Sequence, residues 1–222
     1  MKQTTLKRTR RTVCTVLAAA ALVTGLSACA PLIVGGAVVG GVMAVDRRTT
    51  GTQIEDEGIE LRAANRIRET LGDRAHVNVT SYNRQALLTG EVPNAQDRQT
   101  VEQIVSQVEN TRSVVNDLAV MPASSLSQRS NDTFITGKVR ASLVDAQDIS
   151  ANSFKVVTER NIVYLMGRVS QREANRATEI ARGVSGVSKV VRVFEIVSEE
   201  ELRRIAPQPA PVTTDNSASP GG

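Results

Sequence analysis

A chain of 222 residues with a formal charge of +4 has room for two small domains rather than one large one. The basic excess is confined to residues 1–28, which hold five basic and no acidic residues. From position 29 onward 22 basic residues face 23 acidic ones, which gives no footing for nucleic-acid binding.

The chain opens on Lys2, Lys7, Arg8, Arg10 and Arg11, then an apolar run from Val13 to Val23, then Leu26-Ser27-Ala28-Cys29. This order is a secretory signal, residues 1–28, ending in small residues. Leu-Ser-Ala-Cys matches the bacterial lipobox, which implies that Cys29 is acylated on its sulfur and becomes the first mature residue. Two other readings compete. An uncleaved membrane anchor would use the second apolar stretch, Pro31–Val45, but Pro31 and paired glycines interrupt it, and the first run alone is short for a span. An ordinary secretion signal would leave Cys29 incidental. Ala30, rather than Asp, follows the cysteine, which favours the outer membrane, facing the periplasm. With Cys14 in the signal and Cys29 lipidated, no thiol is left to pair, and the fold must rest on packing.

Residues 29–54 form a glycine-rich tether containing Gly36-x-x-x-Gly40, a spacing that lets apolar helices approach closely. It is either a flexible tether or an oligomerisation or lipid-surface segment. An internal repeat follows. Ala86-Leu-Leu-Thr-Gly90-Glu-Val92 matches Val163-Tyr-Leu-Met-Gly167-Arg-Val169 at an offset of 77, and Val108–Val115 matches Val184–Val191 at an offset of 76. Each copy has the order helix, strand, strand, helix, strand. In the first, residues 55–121, a helix over Glu55–Leu71 precedes a strand around Val77 and Val79. A turn at Asn83-Arg84, a strand over Gln85–Glu91, a helix capped by Asn94 and a strand over Val114–Val120 complete it. A linker, 122–130, leads to the second copy, 131–198. Its helix starts after Ser130-Asn131-Asp132, all good cap residues. Strands over Phe154–Glu159 and Ile162–Val169 flank a turn at Arg160-Asn161, and a helix over Gln171–Arg182 and a strand over Lys189–Val197 close it. Residues 199–222 are a short helix, Glu199–Ile205, and a Pro/Ala/Ser/Thr/Gly-rich tail expected to be disordered. Gly90 and Gly167 each join a strand to a helix, where glycine permits positive φ or a close backbone approach.

The αββαβ unit, with strand-Gly-x-Val, a helix and Val-x-Gly-Val-x-x-Val, resembles the BON domain. The second copy matches more fully, through Val163–Val169, Arg172-Glu173-Ala174 and Val184–Val191. The first departs at Glu109-Asn110-Thr111, which lacks the glycine. With the lipobox, the tether and Thr50-Gly51-Thr52-Gln53, the whole resembles the outer-membrane lipoproteins that carry tandem BON domains. The resemblance implies an α+β fold, each domain a small three-stranded mixed sheet packed against two helices. It also implies binding of anionic, phosphatidylglycerol-like phospholipid through the first helix of the second domain, and a role in outer-membrane integrity and envelope stress.

On that helix Ile135, Val139 and Leu143 recur every four residues as a core stripe. Phe134 lies about 100° away, beside Lys138 and Ala141. An aromatic ring flanked by cations suits an anionic membrane surface, and the lipid-binding set that the resemblance implies on this helix is Phe134, Ile135, Lys138, Val139, Arg140 and Ser142. The bland alternative packs Phe134 against the first domain or the linker. Residues 55–120 carry a net charge of −4 and residues 131–198 a net charge of +3, so an anionic bilayer attracts the second domain. In the first domain Val79 and Tyr82 form either a docking edge for an outer-membrane assembly protein or, respectively, a core residue and an exposed singleton. Catalysis finds little support. The sequence has a single histidine, His76, read as structural and unable to assemble a metal cluster, and no cofactor is expected. The competing function is a non-catalytic adaptor docking on outer-membrane assembly or cell-wall machinery.

Overall fold

The computed structural model describes residues 46–205, which fall within a single compact unit. The signal peptide, Cys29, the glycine-rich stretch to residue 45 and the tail from residue 206 lie outside the described residues. The first domain runs α1 (Thr50–Leu71), β1 (His76–Tyr82), β2 (Gln85–Val92), α2 (Ala95–Ser106), β3 (Ser113–Asn116) and a two-residue β4 (Ala119–Val120). The second runs α3 (Leu126–Asp145), β5 (Lys155–Glu159), β6 (Ile162–Val169), α4 (Gln171–Gly183) and β7 (Lys189–Ile196), followed by α5 (Glu199–Ile205).

In each domain the hairpin pairs antiparallel and the last strand returns through the helix to lie parallel to the hairpin's second strand, giving the orders β1-β2-β3 and β5-β6-β7. The sequence expectation of two mixed sheets with two helices each holds. In the first domain the last strand is split, with β3 and β4 both pairing on β2.

Two helix starts differ from expectation. α1 begins at Thr50, because the Thr49 hydroxyl accepts from the Thr52 amide, so the last part of the expected tether is helical. α3 begins at Leu126, four residues before the expected cap cluster, with Ser125 and Gln128 forming a capping box. Ser130 sits inside the helix, its hydroxyl donating to the Leu126 carbonyl. Asp132 has a different task, described below.

Alternation on the strands builds three cores rather than two. Ala86, Leu88 and Val92 of β2 meet Ile59, Ala63 and Ile67 of α1 and Val101 and Val105 of α2. Val163, Leu165 and Val169 of β6 meet Ile135, Val139 and Leu143 of α3 and Ala174, Ala177 and Ala181 of α4. The opposite sheet faces pack on each other: Tyr82 and Leu87 against Tyr164, Met166 and Val193. Strands β2 and β6 are therefore apolar on both faces, which is why Ala86-Leu-Leu and Val163-Tyr-Leu-Met run without polar alternation.

Candidate membrane-facing helix and the domain junction

Helix α3 turns Ile135, Val139 and Leu143 inward, where they are fully buried. Ile135 and Val139 therefore leave the expected lipid-binding set. Their four-residue period places them on the core face, and no lipid can reach them. On the opposite side Leu126, Ser130, Phe134, Gly137, Ala141 and Val144 fall within an arc of about 80° that holds no charged residue. Phe134 is 65% exposed, Leu126 78% and Val144 69%. Lys138 lies on one flank with its Nζ 5.0 Å from the centre of the Phe134 ring, and it donates to the Ser185 carbonyl. Arg140 lies on the other flank, exposed. Of the two acidic residues of the helix, Asp132 and Asp145, the latter lies nearer the strip in helical angle. Ser142 is half-buried and lines, with Lys138, Ala141, Arg176 and Ile180, a groove of about 600 Å³ between α3 and α4. Phe134 belongs to none of the apolar cores of the described residues.

The tether's end is fastened beside this helix. Arg47 makes a two-pronged bridge to Glu173 at the start of α4 (2.7 and 2.8 Å) and donates to the Arg168 carbonyl. Arg48 instead reaches the first domain, pairing with Asp56 at 2.8 Å and lying 4.4 Å over the Tyr82 ring. Consecutive arginines thus tie the chain entrance to both domains. Asp46 and Arg48 border a cavity of about 510 Å³ shared with Arg140 and Val144 of α3, so the first described residues lie next to the exposed strip. Burial works against the charge of Glu173, but the Arg47 guanidinium and the Ser170 amide hold its carboxyl below the usual range.

Each domain also carries a buried aspartate in its first helix that seals the hairpin turn. Asp56 accepts from the amides of Asn83 and Arg84 at 2.8 and 2.7 Å and from the Ser81 hydroxyl at 2.6 Å. Asp132 accepts from the amides of Arg160 and Asn161 at 2.9 and 2.8 Å. All four turn residues have positive φ, the two-residue hairpin geometry that matches strand twist, and the carboxylates offset its cost in non-glycine residues. The two glycines behave as expected. A Cβ on Gly90 (φ +111°) would lie 2.1 Å from the His76 carbonyl oxygen, and one on Gly167 would lie 2.4 Å from that of Ser153.

The expected docking pair of Val79 and Tyr82 does not form a surface. Val79 packs on the first-domain core, as its alternative reading held. Tyr82 is 4% exposed, so neither an exposed singleton nor a docking edge is correct. The two lie on opposite sheet faces because strand side chains alternate, and the Tyr82 face is covered by the second domain.

Polar groups ring that junction. Tyr164 donates to Asp117 at 2.7 Å, Lys155 pairs with Glu60 at 2.6 Å, and Arg160 donates to the Gly90 carbonyl at 2.7 Å and to Glu91 at 3.1 Å. Strand register sets His76 opposite Glu91, with Nδ1 3.0 Å from a carboxylate oxygen, and domain packing adds Glu159. The three donor atoms lie within 4.8 Å of one another, so the expectation that His76 could assemble no metal-type cluster fails. Sequence reasoning missed this because Glu159 is distant in the chain and arrives only when the sheets pack. The local signal was the equal distance of His76 and Glu91 from the Asn83-Arg84 turn, which sets them opposite each other in the hairpin.

Each half of the chain thus has the same strand order, the same glycine contact and the same aspartate seal. A family model described as the BON domain matches residues 56–122 and 131–198. The chain belongs to the BON-domain family. It is 38% identical over 172 residues to the outer membrane lipoprotein DolP of Haemophilus influenzae, covering 77% of this chain and 89% of that one. It is 32% identical over 155 residues to the 21 kDa hemolysin of Actinobacillus pleuropneumoniae, covering 69% and 80%. A single-domain stretch of 61 residues is 43% identical to osmotically-inducible protein Y of Escherichia coli, covering 27% and 30%. The protein is accordingly an outer-membrane lipoprotein with two BON domains, and among its described residues no helix is long and apolar enough to cross a membrane. The first BON domain's missing glycine also has an explanation. Asn110 takes positive φ (68°) where the second BON domain has Gly186 (98°), and Asn is the residue that best tolerates that region after Gly.

Proposed function

We propose that this outer-membrane lipoprotein rests the exposed face of α3 on anionic, phosphatidylglycerol-like phospholipid, and that this non-catalytic contact supports the integrity of the outer membrane. The observation that carries the reading is Phe134, an aromatic ring 65% exposed, beside Lys138, on a strip of helix without charge. Insertion of such a ring at headgroup depth contributes about 1.5–3 kcal/mol when complete. Lys138 and Arg140 each add about 1 kcal/mol near an anionic leaflet. The entry of the tether beside Arg140 and Val144 favours the same face, because an acyl anchor on Cys29 and a second weak contact reinforce each other when linked.

Co-sedimentation of residues 46–222 with phosphatidylglycerol vesicles and with neutral vesicles tests the reading. Wild type binds the anionic vesicles alone, and Phe134→Glu weakens that binding by about tenfold or more with an unchanged unfolding temperature. Equal binding by the variant, or no binding by wild type, overturns it.

A second reading has its own observation. Ile54 and Leu61, seven residues apart on α1, are 65% and 64% exposed on the acidic first domain. They suit an adaptor that docks on outer-membrane assembly or cell-wall machinery. Under that reading Phe134→Glu spares partner capture, whereas the pair Ile54→Asp and Leu61→Asp abolishes it.

A further inference from the structure

We propose that His76, Glu91 and Glu159 form a divalent transition-metal site, of the kind zinc occupies, that bridges the two BON domains. His76 and Glu91 come from paired positions on β1 and β2, and Glu159 comes from the end of β5 in the other domain. One imidazole nitrogen and two carboxylates are a donor set that zinc accepts, with water as the fourth ligand. The donor atoms lie within 4.8 Å of one another, and His76 Nδ1 is already 3.0 Å from the Glu91 oxygen. A tetrahedral zinc shell separates its ligands by roughly 3.3 Å, so the first pair needs almost no movement and Glu159 a modest approach. Water reaches the place through a cavity of about 370 Å³ lined by His76, Asn78, Arg129, Thr136 and Glu159.

The electrostatics favour a cation. Glu91 is 1% exposed but is answered by Arg160 on one oxygen and by the Ser124 amide and His76 on the other. Glu159 is 3% exposed, and among the described residues its carboxylate accepts only from the Asn78 amide and pairs with no Lys or Arg. A divalent ion would satisfy that buried carboxylate and relieve the repulsion between the two acids while leaving Arg160 on its oxygen of Glu91. Because its ligands belong to both domains, bound metal would also fasten the junction.

The test uses the full chain in detergent, without an affinity tag, titrated with Zn²⁺. His76 is the single histidine of the sequence, so its imidazole ¹⁵N resonances report one site without assignment. The expected result is one zinc per chain, a large shift of the Nδ1 resonance, and an unfolding temperature raised by roughly 5–10 °C at a hundredfold excess over Kd. Glu159→Gln keeps the volume and the Asn78 contact, and should weaken binding by about tenfold or more. His76→Gln should remove it. Zinc binding that leaves the imidazole unmoved, zinc affinity unchanged in Glu159→Gln, or no binding by wild type overturns the proposal. None of these outcomes depends on the vesicle result.

Discussion

Asp56 and Asp132 are the single side chains on which each hairpin most depends. A two-residue turn with positive φ at both positions holds two amides inward, and in both domains a carboxylate from the preceding helix receives them. Asp132→Ala leaves the Arg160 and Asn161 amides without that acceptor. The expected loss is about 2–4 kcal/mol, read from thermal or urea unfolding of the purified chain. A loss under about 0.5 kcal/mol, the size of an ordinary surface change, would contradict this role. The same residue illustrates a limit of local reading. Asp next to Ser and Asn resembles a helix cap, yet Asp132 lies a full turn and more inside α3. Its partners are in the turn between β5 and β6, which no local pattern reveals.

Helix α3 and the chain entrance act as one surface because the entrance is tied to the start of α4. Arg47 and Glu173 form the tie, and Glu173 also completes the capping box with Ser170. The folded carboxyl is held below its ordinary value of 4.5, so its contribution to stability is complete above that value and is lost as pH falls through the lower folded value. Unfolding temperatures of wild type and Glu173→Gln should therefore differ by a constant amount from neutral pH down to about 5 and converge in more acid solution. A gap that persists unchanged into strong acid would mean that Glu173 contributes through packing instead. On α3 itself the apolar spacing was legible in sequence and separated Phe134 from the core stripe. The extent of the exposed strip was not, since Leu126 lay in what the sequence assigned to a linker.

The two BON domains are held face to face by Tyr82, Leu87, Tyr164, Met166 and Val193, with the Tyr164–Asp117 hydrogen bond at the rim. Each sheet would otherwise offer water an apolar face, so the domains should unfold together. Wild type is expected to melt in one cooperative transition. Met166→Asp buries a charge in the junction and should separate the melt into two transitions, one per domain, in differential scanning calorimetry. A single transition at unchanged temperature would show that the junction contributes little. The same packing accounts for the position of the basic second domain. Its α3 face is directed away from the sheets, and the acidic first domain is attached through the opposite side of β6.

The sequence by itself determined the repeat, the order of elements, the core stripe of α3, the turns and the two strand-end glycines, because each is a local matter of period, φ or backbone approach. The Leu26-Ser27-Ala28-Cys29 motif and the count of two cysteines, Cys14 and Cys29, are likewise properties of the linear chain. Only the tertiary structure decided the fate of Tyr82, the tasks of Asp56 and Asp132, the tie of Arg47 and Arg48, and the meeting of His76 with Glu159. Each of those depends on groups brought together by packing across elements or domains. The clue in the linear chain was the unbroken apolar run of β2 and β6, which requires cover on both faces. Which surface would supply that cover is settled only when the two sheets meet, since the free energy of burying an apolar face depends on area and shape and carries no address in sequence.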